Sequence, residues 1–150
     1  MTALRRATRD DRACVEEFER IAYARTEAIV GARPTPLEWD YGLILDECEV
    51  WFDESNGSLD GVLILRIRTD ELFLESIATA PGVAGSGRGR VLLEATFERA
   101  RELGLNRVGL ITNGLNPALS WYKRMGFAVD LEEVKPGRRV IHMSAAVSQA

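Results

Sequence analysis

The sequence predicts one α/β (α+β) domain over residues 1–150, a mixed and mostly antiparallel sheet flanked by helices. Its 150 residues suffice for one compact domain and are too few for two ordinary ones. Hydrophobic residues make up 46% and charged residues 28%, the balance of a globular chain able to bury a core. Strand-like runs cluster between Glu49 and Thr79, with helical periodicity on both sides, so strands and helices do not alternate one by one. The expected order is β-α-α-β-β-β-α-β-α-β-β.

Thr8 followed by Asp11 resembles a helix N-cap with an acid in the first turn. Cys14, Val15, Phe18, Ile21, Ala22 and Arg25 then recur at helical spacing. Arg33-Pro34-Thr35-Pro36 breaks that helix, and Leu37 to Glu47 reads as a second. Glu49 to Phe52 is a strand, Glu54-Ser55-Asn56-Gly57-Ser58 a hairpin turn, and Gly61 to Arg68 the returning strand. Thr69-Asp70 turns into a third strand, Glu71 to Thr79. Arg90 to Leu103 is the clearest helix, with Leu92, Leu93, Thr96, Phe97, Ala100 and Leu103 on one face. Gly104 is placed to end it in a left-handed conformation. Arg107 to Thr112 is a strand joined to the third by a parallel crossover. Pro117 to Met125 is a short helix, and Phe127 to Leu131 and Arg139 to Ser144 are the closing strands.

Composition also excludes functions. A net charge of -4 argues against a general nucleic-acid binder, which needs a basic face. The single histidine, His142, cannot build a two-histidine zinc site, so no metal is expected. Cys14 and Cys48 form neither a CxxC pair nor a disulfide framework; both are expected to pack as small hydrophobes in a reducing compartment. Charged residues rather than an apolar core follow Met1–Arg6, and the longest strongly apolar run is Val62-Leu63-Ile64-Leu65. The expectation is a cytoplasmic protein without a membrane or nucleic-acid partner.

The most informative segment is Val83-Ala84-Gly85-Ser86-Gly87-Arg88-Gly89-Arg90, between a strand and the strongest helix. Alternating glycines let backbone N–H groups turn inward, and the helix start adds unpaired N–H groups with partial positive charge. Arg88 and Arg90 bring formal charge to the same end. A Walker loop needs Gly-Lys-Ser/Thr where this chain has Gly89-Arg90-Val91. A Rossmann fingerprint needs GxGxxG and an acid about twenty residues on, where Arg107-Val108-Gly109 stands. The plain alternative is a tight strand-to-helix turn, which requires neither three glycines nor two arginines.

Leu72-Phe73-Leu74-Glu75-Ser76-Ile77-Ala78-Thr79-Ala80-Pro81, the loop Ala84 to Gly89 and Val91-Leu92-Leu93 together resemble the acetyl-CoA motif of the GCN5-related N-acetyltransferase (GNAT) superfamily. Leu110-Ile111-Thr112-Asn113 and Trp121-Tyr122-Lys123-Arg124-Met125-Gly126-Phe127 extend the resemblance downstream, and Leu4 to Asp11 resembles the family's opening strand and turn. Two departures stand out. Ala84 occupies a position usually held by Gln or Arg. Asn116 is the nearer candidate for a coenzyme-contacting asparagine, yet it equally suits the cap before Pro117.

The resemblance implies acetyl-CoA as co-substrate, in a wedge between the strand Leu72 to Thr79 and the strand Arg107 to Thr112. Backbone groups of Ile77, Ala78 and Thr79 would pair with the pantetheine arm, and Gly85, Ser86, Gly87, Arg88, Gly89 and Arg90 would hold the pyrophosphate. An N–H near Ile77 or Ala78 would polarise the thioester carbonyl. Tyr122 falls where the family places its general acid, since a protonated phenol can donate to a departing thiolate; a core aromatic is the other reading. Glu75 is the only ionisable residue between Glu71 and Arg88 and is a candidate general base, or an acid at a splayed, solvated strand position.

Between Arg33 and Arg66 there is no basic residue, while Glu38, Asp40, Asp46, Glu47, Glu49, Asp53, Glu54 and Asp60 are acidic. In the resembled fold this stretch borders the acceptor, so it would favour a cationic amine; a solvated acidic face is the plainer alternative. Tyr23, Trp39 and Tyr41 would floor such a site or join the core. The expected activity is direct acetyl transfer from acetyl-CoA to a primary amine of a small cationic molecule. The alternatives are acetylation of a peptide amino terminus, or a non-catalytic acyl-CoA-binding module. The family resemblance also admits a homodimer.

Overall fold

The computed structural model describes residues 3–83 and 85–148. Seven strands form one sheet: β1 (Arg5–Arg6), β2 (Glu49–Ser55), β3 (Ser58–Ile67), β4 (Leu72–Thr79), β5 (Arg107–Asn113), β6 (Ala128–Lys135) and β7 (Arg138–Ala146). The helices are α1 (Arg12–Val30), α2 (Tyr41–Glu47), α3 (Arg88–Glu102) and α4 (Ala118–Arg124). Strand order across the sheet is β1-β2-β3-β4-β5-β7-β6, and every pairing is antiparallel except β4 with β5. The expected class and element order hold.

The apolar run Val62–Leu65 is the centre of β3, buried on both faces. Leu63 and Leu65 point into a core shared with Leu92 and Leu93 of α3 and Tyr122 of α4. Val62 and Ile64 point into a second core with Val15 of α1 and Tyr41 and Ile44 of α2. Strand alternation thus places α3 and α4 on one face and α1 and α2 on the other. Each fully buried branched side chain there stabilises the fold by about 1.5–3 kcal/mol relative to exposure.

Local chemistry explains the boundaries. The expected helix Leu37 to Glu47 is interrupted: Thr35–Glu38 is a 3-10 turn, and Asp40 restarts the chain as α2 by accepting from the N–H groups of Gly42 (2.9 Å) and Leu43 (3.3 Å). Thr8 and Asp11 form their capping box on a single 3-10 turn that leads into α1. Gly104 ends α3 at φ +72, with the Leu105 N–H returning to the Ala100 carbonyl at 2.9 Å.

The buried face of α1 differs from the one apolar spacing picks out. Val15 and Glu19 are buried and Phe18, Ala22, Tyr23 and Thr26 half-buried, whereas Cys14, Ile21 and Arg25 are exposed. Polar Glu19, Tyr23 and Thr26 lie on the inner stripe, so counting apolar residues alone rotates the helix. Cys48 packs in the core as expected; Cys14 does not.

Candidate active site

Strands β4 and β5 run parallel but pair only at Leu72 with Val108 and Phe73 with Gly109. At Gly109 the Glu71 carboxylate occupies the space a Cβ would take, 2.7 Å away. Beyond this point the strands part. From Leu74 to Thr79, β4 pairs with β3 on one edge, Glu75 excepted, and among the described residues has no strand on the other. The opening is part of a cleft of about 450 Å³, walled by Leu74–Ile77 of β4 and Leu110–Asn113 of β5. Tyr23, Thr26 and Val30 of α1 and the following segment to Trp39 close one side, and Tyr122 lies at the other.

Tyr122 and Glu75 therefore line one cleft. Tyr122 is held by Trp121 (ring centroids 5.3 Å apart) and by an edge contact with Phe127 (5.6 Å). Burial pushes its phenol above the ordinary value, so the hydroxyl keeps its proton at neutral pH. Core packing and cleft lining are both true of this residue.

Glu75 sits in a β-bulge: the register passes from Ile64 opposite Ser76 to Leu65 opposite Leu74, leaving Glu75 without a cross-strand partner. Its carboxylate accepts from Arg66 Nε at 3.0 Å, and Arg66 also reaches Glu47 at 3.3 Å. Beside it, Ser76 is buried and donates to both oxygens of Glu19, at 2.9 and 3.1 Å, while the Tyr23 hydroxyl lies 2.8 Å from Ser76 Oγ. Glu19 is completely buried, and burial pushes its carboxyl up to about 8, with the Ser76 bond opposing. Sequence reasoning missed Glu19. Its signal was the i, i+4, i+8 series Val15, Glu19, Tyr23, an acid between two residues of one helix face.

Gly85 (φ +79) and Gly87 (φ +86) adopt the left-handed conformation that the strand-to-helix turn requires. A Cβ at either would meet nothing within 4 Å, so the turn presents bare backbone outward. Among the described residues the N–H groups of Gly89 and Arg90 have no backbone acceptor, as at any helix start. Ser86 Oγ donates to the Val83 carbonyl at 2.5 Å. Arg88 forks onto buried Asp53, with Nε 2.8 Å from Oδ2, and Arg90 pairs with Glu94 at 3.1 Å. Asp53 thus anchors the turn through Arg88. Ala84 lies outside the described residues. Asn116 accepts from the Ala118 N–H at 2.9 Å, a cap on α4, and it is not among the cleft-lining residues.

The acidic stretch between Arg33 and Arg66 does not form an acceptor wall. Glu38 pairs with Arg33, Asp40 with Arg12, Asp46 with Arg9, Glu49 with Arg99, Asp53 with Arg88 and Glu54 with Arg5. None of those acids lines the cleft, where Glu75 faces the basic Arg33, Arg68, Lys135 and Arg138. Counter-ions supplied from outside the stretch, which a one-dimensional charge count omits, account for the difference. Of the aromatic candidates, Tyr23 and Trp39 line the cleft, while Tyr41 is core, its hydroxyl donating to the Pro36 carbonyl at 2.7 Å. His142 faces Glu133 at 2.6 Å on the β6–β7 pair. Among the described residues no cluster of His, Cys, Asp or Glu is placed to hold a metal ion, and no helix is long and apolar enough to cross a membrane.

The chain is similar in sequence and fold to known proteins. A stretch of 58 residues is 47% identical to streptothricin acetyltransferase from Streptomyces lavendulae, covering 38% of this chain and 31% of that one. The match therefore spans about a third of that relative's length. The crystal structure of nourseothricin acetyltransferase superposes with a TM-score of 0.60 at 27% identity, over 68% of this chain and 66% of that one. PaiA N-acetyltransferase from Thermoplasma acidophilum, solved with coenzyme A, shares the fold over 95% of this chain and 97% of its own (TM-score 0.80, 17% identity). The profile of the acetyltransferase (GNAT) family matches residues 12–127, and the chain belongs to that family.

Proposed function

We propose that this chain is an acetyl-CoA-dependent N-acetyltransferase that moves the acetyl group directly to a primary amine of a small molecule. The observation that carries the reading is the parting of β4 from β5 beyond Phe73 and Gly109, with Tyr122 and Glu75 on the walls of the opening. Family membership supports acetyl transfer. The partial likeness to streptothricin and nourseothricin acetyltransferases supports a small amine acceptor.

The residues fit acetyl-CoA as co-substrate. The unpaired edge of β4 offers backbone groups of Ile77, Ala78 and Thr79 to the amides of a pantetheine arm, as an added strand would use them. The open glycine turn from Gly85 to Gly89 and the N–H groups of Gly89 and Arg90 suit a pyrophosphate. Arg88 contributes by fixing the turn to Asp53, and Ser86 by bonding Val83. Asn116 serves as a helix cap.

Acetyl-CoA supplies an activated acyl group, so the protein needs alignment, a neutral nucleophile and a proton for the leaving sulfur. Tyr122 is the proposed general acid. Glu75 is the one acid of the cleft lining and is ion-paired with Arg66, while Arg33, Arg68, Lys135 and Arg138 line the same cleft.

The test is release of coenzyme A thiol from acetyl-CoA with a panel of amines: streptothricin, spermidine, an aminoglycoside, amino sugars and short peptides. Small amines are expected to turn over faster than peptides. Tyr122→Phe should lower kcat by about 100-fold, the scale of one positioned general acid, and leave coenzyme affinity unchanged. Tight coenzyme binding with no turnover across the panel would mean a non-catalytic acyl-CoA-binding module, and failure to bind acetyl-CoA would remove both readings.

A further inference from the structure

An amine enters such a site largely as an ammonium ion, and its nitrogen attacks only after losing a proton. The cleft offers two carboxyl groups for that proton, in different settings. Glu75 shares its charge with Arg66 at 3.0 Å. Glu19 has no cation: among the described residues its hydrogen-bond partner is the Ser76 hydroxyl alone, and its side chain is sealed from solvent.

Glu19 itself does not line the cleft, but Ser76 and Tyr23 do. With Glu19 ionised, Ser76 Oγ–H must point at the carboxylate, so Tyr23 must donate to Ser76 across their 2.8 Å contact. The Tyr23 oxygen and the remaining lone pair of Ser76 are then acceptors presented toward the cleft. With Glu19 protonated, both hydroxyls can turn around. Three oxygens linked at 2.8–2.9 Å with a reversible donor direction form a proton path between cleft and carboxyl.

We propose that Glu19 is the terminal acceptor of the proton lost by the substrate ammonium, reached through the hydroxyls of Tyr23 and Ser76. The proposal rests on the acetyl-transfer reading above. One N–H bond of the ammonium breaks, each hydroxyl passes its own proton one oxygen onward, and an O–H bond forms on Glu19. The ammonium becomes a neutral amine with a free lone pair, and the carboxylate a neutral acid. The second amine proton, lost as the amide forms, replaces the one Tyr122 gives to the sulfur. The Glu19 proton returns along the same hydroxyls to water after product leaves. Glu19 acts through others and is a positioning residue; Tyr23 and Ser76 meet the substrate.

The groups facing this path are Tyr23 on α1, Tyr41 from α2, Ser76 from β4 and Tyr122, which faces Tyr23 from α4. Burial raises all three phenols above their ordinary values, so none competes for the proton at neutral pH. Burial without a cation places the Glu19 carboxyl at about 8, close to working pH, where an acceptor can both take and release a proton.

The experiment has two arms on the full chain. Carbon-13 NMR of glutamate carboxyls, in the protein without ligand, should show one signal titrating near 8 that is missing in Glu19→Gln. Turnover of acetyl-CoA with the amine panel should lose activity about tenfold per pH unit below that value in the wild type. Glu19→Gln, which keeps the Ser76 bond, should lose this acidic limb and fall about 100-fold at its former optimum, with coenzyme affinity kept. Tyr23→Phe should slow turnover while the carboxyl signal persists. An unchanged acidic limb in Glu19→Gln, or no carboxyl titrating above the ordinary range, overturns the relay and leaves acetyl transfer standing. No turnover with any amine overturns both.

Discussion

The acidic segment between Arg33 and Arg66 and the inner stripe of α1 invert what charge counting leads one to expect. The segment is the most acidic stretch of the chain, yet all of its acids except Asp60 pair with arginines (Arg5, Arg9, Arg12, Arg33, Arg66, Arg88 and Arg99), and none of the eight lines the cleft. α1 carries both signs of charge, and one of its acids, Glu19, is buried against the cleft with only a hydroxyl for company. The number of acids in a window says little about chemistry. A carboxyl becomes reactive when burial removes water and no cation compensates.

The largest expected effect that sharpens this contrast is on stability. Folding raises the Glu19 carboxyl from an ordinary 4.5 to about 8. Within that window the native state keeps a proton that the unfolded chain has released. Stability is therefore full below the unfolded value, falls as pH rises toward 8, and levels off above. The loss is on the order of 5 kcal/mol, measured by denaturant unfolding at several pH values. Glu19→Gln should flatten the profile there; an equal slope in both proteins would show that Glu19 is not buried as described.

A smaller effect separates paired acids from unpaired ones. Arg88→Ala leaves Asp53, whose side chain is 3% exposed, without its counter-ion. The cost should be about 2 kcal/mol, below the range for a wholly buried pair because the Arg88 side chain is 35% exposed. Pairing in the turn, and not phosphate contact, then dominates what Arg88 does. Gly87→Ala forces a Cβ onto a residue at φ +86, at a cost of about 1–2 kcal/mol, read as a lower melting temperature together with weaker coenzyme binding. The smallest effect belongs to the acidic segment. Asp46→Asn removes one exposed partner of Arg9 and should leave both stability and the KM for amine acceptors within error. A marked rise in KM would restore that segment as an acceptor wall.

Much of the fold was legible because periodicity and turn chemistry agree in this chain. Val62–Leu65, the Asn56-Gly57 turn and the face of α3 lead to the observed elements. Of the cleft lining, Tyr122, Glu75 and Ile77 were singled out in the sequence, whereas the turn Gly85 to Arg90 does not line it. What escaped depends on distant partners. Arg88 was expected at a phosphate and is tied to Asp53, 35 positions away. Glu19 meets Ser76 across 57 positions, and the bulge that isolates Glu75 exists only as a register between β3 and β4. The phase of α1 was misread because its inner stripe is partly polar, and polar residues turn inward only when a specific partner waits there.

The proposed reaction is acetyl transfer to an amine in the cleft where β4 leaves β5. Its most direct measurement is thiol release from acetyl-CoA with and without each amine of the panel, with mass spectrometry of the acceptor. Amine-dependent release is expected, matched one to one by acetylation of the amine, with Tyr122→Phe about 100-fold slower. Release independent of amine, or an amine left unmodified while coenzyme binds, would contradict it.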